Sequence, residues 1–131
     1  MKRLSRHTRL TVLAAMLLVT LGAALLPLAA NRAEPREIEI EIRDMAFHLA
    51  GDSMPNPEIR VAPGEEIVFV VRNGDSGIVH DFSVPAWDGS TRRLRTGELD
   101  RIVFTAPRQK GTALYLCRPH SELMRGTLIV E

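Results

Sequence analysis

At 131 residues the chain is long enough for one domain at most. Four of its 17 Lys/Arg (Lys2, Arg3, Arg6 and Arg9) fall in the first nine residues, and all 16 Asp/Glu lie beyond Ala30. The remainder therefore sets 13 basic against 16 acidic side chains, a formal −3, which excludes nucleic acid as a partner, since that needs a basic face.

The basic start leads into an uncharged apolar run from Leu10 to Ala30. A basic segment followed by an apolar one is the pattern of an export signal. The run is longer than the about 7–15 apolar residues of a cleaved signal and matches the about 20 that can cross a bilayer. Neither Leu28-Ala-Ala30 nor Asn31-Arg-Ala33 is a clean cleavage site, so residues 1–33 are either a signal peptide or an uncleaved membrane anchor spanning 10–30. In both cases the basic flank stays inside. Residues 34–131 are then expected in the periplasm or on the outer face of the cytoplasmic membrane.

Arg36 to Arg43 alternates Glu37, Glu39 and Glu41 with Ile38, Ile40 and Ile42. Period two with one apolar face predicts a half-buried strand, and its charged face is of the kind that discourages edge-to-edge pairing. Gly51 to Pro57 reads as a loop. A short strand from Glu58 to Val61 runs into the Ala62-Pro-Gly64 turn. Ile67 to Val71 is apolar enough for the middle of a sheet and ends at the Asn73-Gly-Asp-Ser-Gly77 turn region. Further strands are expected at Thr91–Leu94, Leu99–Thr105, Thr112–Cys117 and Thr127–Val130. About seven short strands with regular turn signals and no helical period predict an all-β sandwich.

The chemistry gathers in one loop, Cys117-Arg-Pro-His-Ser-Glu-Leu-Met124, between two of these strands. A lone cysteine outside the cytoplasm cannot close an internal disulfide, so it is free, paired with another chain, or held by something. Thiolate, imidazole and thioether together suit copper, and two histidines, a cysteine and a weak axial methionine are the blue-copper set. The second histidine is offered by His80, in Gly77-Ile-Val-His-Asp-Phe-Ser-Val84. Zinc is disfavoured because a thioether is a soft ligand. A thiol-nucleophile enzyme is disfavoured as well, because no base constellation accompanies Cys117 and Met124 would have no part in it.

The combination of Val71-Arg-Asn73, His80-Asp-Phe-Ser-Val84, Tyr115-Leu-Cys-Arg-Pro-His120 and Met124-Arg-Gly126 resembles the cupredoxins, small blue copper proteins of the plastocyanin, pseudoazurin and amicyanin kind. The resemblance covers about residues 36 to 131 and implies a Greek-key β-sandwich. It implies one copper per chain, cycling between Cu(II) and Cu(I), with His80, Cys117 and His120 as equatorial ligands and Met124 as the axial one. Three residues separate His120 from Met124, between the four of plastocyanin-like loops and the two of amicyanin-like loops. Asp81 stands where many cupredoxins have the Asn that ties the two ligand loops together. Asn73 belongs with Asp81 and Pro119 in the expected surroundings of the metal. Pro119 has no backbone N–H to give the thiolate, and hydrogen bonding at that sulfur tunes the potential.

The resemblance implies an electron carrier and not an enzyme: a monomeric domain that meets redox partner proteins. Pro119, Leu123 and Pro85 would form an apolar rim around His120, flanked by Arg118 and Arg125. Arg92, Arg93 and Arg95 read as solvated surface. Met45, His48 and Met54 are weighed as a second Cu(I) site and set aside, Met45 as core and the others as surface. The alternative function is copper binding, storage or trafficking on the same fold.

Overall fold

The alternating run Arg36–Arg43 forms a strand, β1, in the computed structural model, which describes residues 34–131. Residues 1–33, with the expected export segment, lie outside the described residues. Ile40 and Ile42 are buried, while Glu37, Glu39 and Glu41 stand exposed on the other face. The charged face does not guard an edge, however. β1 pairs antiparallel with β2 (Ala46–Leu49) on one side and parallel with the long apolar β4 (Glu66–Asn73) on the other. On that face Glu37 forms an ion pair with Arg101 of β7 (Leu99–Thr105) and Glu41 one with Arg43 of its own strand.

The first sheet thus has the order β2-β1-β4-β7. The second contains β3 (Ile59–Val61), β5 (Ser83–Val84), β6 (Gly89–Ser90), β8 (Gly111–Leu116) and β9 (Arg125–Val130), in the order β3-β9-β8-β5-β6. Among the described residues there is no α-helix, only 3-10 turns at Pro85–Trp87 and Arg118–His120, so no helix there is long and apolar enough to cross a membrane. The expected strand at Thr91–Leu94 is absent. Only Leu94 pairs, in a single bridge with His80, while Thr91 spends its hydroxyl on the Phe82 N–H and Arg92 gives its N–H to Asp100. The short β2, β5 and β6 were not anticipated.

The two sheets meet over an aromatic cluster. Phe82 packs on Phe47, Phe69 and Tyr115 with ring centroids 4.9–5.5 Å apart. Each such pair contributes about 0.5–1.5 kcal/mol beyond its buried area. The Tyr115 hydroxyl reaches across to donate to the Pro57 carbonyl at 2.6 Å. Gly126, its partner on β9, is required there because a Cβ would overlap the Tyr115 ring. This packing fixes β8 against β9 and so fixes the short link between them, residues 117–124.

Candidate metal centre

Cys117 follows directly on β8, and Met124 directly precedes β9. The Cys117 N–H donates to the Met124 carbonyl at 3.0 Å, which closes the loop at its base. Inside it, the N–H of His120 donates to the Cys117 carbonyl, and those of Leu123 and Met124 donate to the His120 carbonyl. The tight turn at Arg118–His120 holds Pro119 as its second residue, whose fixed φ suits it. It aims the His120 ring back at the cysteine.

His80 arrives from the other sheet's connection. Its N–H donates to the Leu94 carbonyl at 3.1 Å, and the Leu94 N–H returns a bond to the His80 carbonyl at 2.7 Å. Asn73, at the end of β4, holds this loop from within. Its side-chain amide donates to the carbonyls of Ile78 and Leu94, and its side-chain oxygen accepts from Asp75 N–H. Asn73 therefore touches no candidate ligand but supports the same Leu94 carbonyl that anchors His80.

These elements bring three donor atoms together. Cys117 Sγ lies 3.7 Å from His80 Nδ1 and 3.6 Å from His120 Nδ1, and the two Nδ1 atoms are 3.2 Å apart. Nitrogen and sulfur ligands about 2.0–2.3 Å from one ion, at angles between tetrahedral and trigonal, would stand about 3.3–3.7 Å from each other. The triangle has that size. His80 and Cys117 are fully buried, and His120 is half-exposed. Met124 is also fully buried, in the same core cluster as Cys117.

Burial pushes the Cys117 thiol above its ordinary value, with the backbone N–H groups of Asp81 and His120 pulling the other way. Burial likewise lowers the His80 imidazole, against the attraction of Asp75. At neutral pH the metal-free site thus holds a neutral thiol and a neutral imidazole, and a bound cation would displace the thiol proton.

Asp81 bridges the two loops. One carboxylate oxygen accepts the Arg118 backbone N–H at 2.8 Å and the other accepts Arg118 Nε at 2.8 Å. Arg118, expected to flank the His120 rim, is thus held by Asp81 while its side chain stays 53% exposed. Pro119 and Leu123, beside His120 in the loop, are exposed, Leu123 by 65%, and the third residue expected on the rim, Pro85, is exposed as well. His48 departs from expectation: it is buried, in the strand where the preceding residue, Phe47, has both backbone groups bonded to Asn56 of the following loop. Met54 is exposed, as expected, whereas Met45 is only half-buried, packed against the core rather than within it.

Sequence reasoning missed Asp75. Its carboxylate lies 3.1 Å from His80 Nε2, the nitrogen facing away from the cysteine. Its other partners are the N–H groups of Asp44 and Met45, some thirty residues upstream. An Asp within Asn-Gly-Asp-Ser-Gly reads locally as a turn former, and nothing in the sequence announces the distant contact.

No protein-family model matches the chain, and no curated protein matches it in sequence. Solved structures do. Auracyanin from Roseiflexus castenholzii superposes with a TM-score of 0.59 at 21% identity, over 73% of this chain and 97% of that one. The chain has the cupredoxin fold. Rusticyanin from Thiobacillus ferrooxidans shares this cupredoxin architecture with a TM-score of 0.58 at 18% identity, over 72% of this chain and 76% of that one. A chain of a heme-copper terminal oxidase dimer also matches, with a TM-score of 0.57 at 16% identity, over 97% of this chain and 100% of that one.

Proposed function

We propose that the protein is an exported one-electron carrier with a mononuclear blue copper centre, one copper per chain, held by His80, Cys117 and His120 with Met124 as axial ligand. The observation that carries this reading is the triangle of Cys117 Sγ and two Nδ1 atoms, buried at Cys117 and His80 and open at His120, with Met124 closing the same loop. Two imidazoles, a thiolate and a thioether are the donor set of blue-copper sites. Auracyanin A, another match, carries the description "a blue copper protein", which supports the same choice of metal.

The bound copper would supply reversible one-electron chemistry. The chain supplies rigidity: Cys117 is fixed by β8, His120 by its turn, and His80 by the Leu94 bridge and Asn73. Donors held this firmly need little rearrangement between oxidation states. The half-exposed His120, beside the exposed Pro119 and Leu123, is the proposed electron doorway for a redox partner protein, with Pro85 expected to complete the rim. The basic start and the apolar run at 10–30 support placement in the periplasm or on the outer face of the membrane. The match to a chain of a heme-copper terminal oxidase dimer supports a second form of this reading, in which the carrier serves such an oxidase.

Copper trafficking would use the same ligands but must release the metal. Repeated reduction and reoxidation of the copper-loaded protein, in the presence of a Cu(I) chelator, separates the two. A carrier cycles with its copper retained, whereas loss of the metal on reduction would move the function to copper handling.

A further inference from the structure

His80 Nδ1 and His120 Nδ1 face each other at 3.2 Å. In the metal-free protein two imine lone pairs at that distance would repel, so one of these nitrogens carries a proton or the thiol donates between them. Which ring is ready to bind is a question of tautomer, and a histidine's tautomer is set by what its other nitrogen meets. The two rings differ in that respect. His120 is half-exposed, whereas His80 is fully buried with the Asp75 carboxylate 3.1 Å behind its Nε2.

Asp75 is itself held in place. It accepts the N–H groups of Asp44 and Met45 at 2.7 and 3.0 Å, donates its own N–H to Asn73, and its carbonyl accepts the Thr96 hydroxyl. Its side chain is only 12% exposed. The approach to Nε2 is close in distance but not aligned as a hydrogen bond, and Nε2 has no other partner. The carboxylate therefore acts on the ring chiefly through its charge, which favours a proton on the near nitrogen.

The geometry points to Asp75 as a positioning residue that keeps the proton of His80 on Nε2 and leaves His80 Nδ1 bare as a preset metal ligand, so that the tautomer change on metal entry falls to the half-exposed His120. This inference rests on the copper reading for its purpose but not for its test. Carboxylates behind metal-binding histidines commonly matter by about 10–100-fold in affinity.

The test compares the full chain with Asp75→Ala and Asp75→Asn; the second keeps one side-chain oxygen as acceptor for the Asp44–Met45 turn should the first fail to fold. In the metal-free protein, side-chain ¹⁵N spectra should show His80 wholly as the Nε2–H form. In both variants it should mix with the Nδ1–H form, more so in Asp75→Ala. Cu(II) should bind the variants about 10–100-fold more weakly. Unchanged His80 ¹⁵N shifts in a folded variant would overturn the role of Asp75. Failure of the wild-type protein to bind Cu(II), with the variant shifts still moved, would overturn the copper reading and leave Asp75 as the determinant of the tautomer.

Discussion

Asp81 and Arg118 join the two loops that carry the candidate ligands: the carboxylate directly after His80 receives both the backbone N–H and the side-chain Nε of the residue directly after Cys117. The pair is lopsided, since the Asp81 side chain is 1% exposed and that of Arg118 53%. An ion pair with both partners in water contributes at most about 1 kcal/mol. Here one partner is buried, so losing the other leaves a carboxylate short of a donor at a cost of about 1–3 kcal/mol.

Arg118→Ala should therefore destabilise the domain by about 1–3 kcal/mol in urea denaturation, whereas Asp81→Asn, which keeps an acceptor for the Arg118 N–H and removes the charge, should cost less. An Arg118→Ala variant as stable as wild type would show that the backbone bond alone holds the loops together.

Tyr115, the chain's one tyrosine, has its hydroxyl raised well above the ordinary range by burial. A raised native pKa means that its contribution is complete below the unfolded value of about 10 and is lost as pH rises through the native value. Unfolding free energy should fall above about pH 10 and fall less steeply in Tyr115→Phe. The buried Cys117 thiol, also raised, contributes to both curves alike. At neutral pH the variant should be weaker by about 1–3 kcal/mol, because the Pro57 carbonyl loses its donor. Parallel curves for the two proteins would contradict this assignment.

Pro119 occupies the turn beside Cys117 and has no N–H to offer the sulfur. A donor to a thiolate draws charge from it and favours the reduced metal, so Pro119→Ala should raise the reduction potential of the copper-loaded protein. An unchanged or lower potential would restrict Pro119 to stiffening the turn.

Much of this was legible in the sequence, and the exceptions have physical reasons. The long strands declared themselves by Glu/Ile alternation at 36–43 and by the apolar runs at 66–73 and 99–105. β2 did not, because its hairpin turns at Asp44-Met45, two residues with φ of 53° and 58°. Such turns usually announce themselves by Asn-Gly or Asp-Gly. This one is stabilised from a distance, by the Asp75 carboxylate on both turn N–H groups. Thr91-Arg-Arg-Leu94 reads as a strand but forms a loop, since the Thr91 hydroxyl accepts the Phe82 N–H and the Arg92 N–H goes to the Asp100 carboxylate. His80, Cys117 and His120 could be picked out because their residue types are rare together. Asp75 could not, since its contacts exist only after β1, β2 and the His80 loop have met.

The central claim is tested most directly by the visible absorption spectrum of the full chain during titration with Cu(II). The account predicts an intense blue thiolate-to-copper band that saturates at one copper per chain and is abolished by Cys117→Ser. A protein that binds no copper, or binds it with a spectrum indifferent to Cys117→Ser, would contradict it.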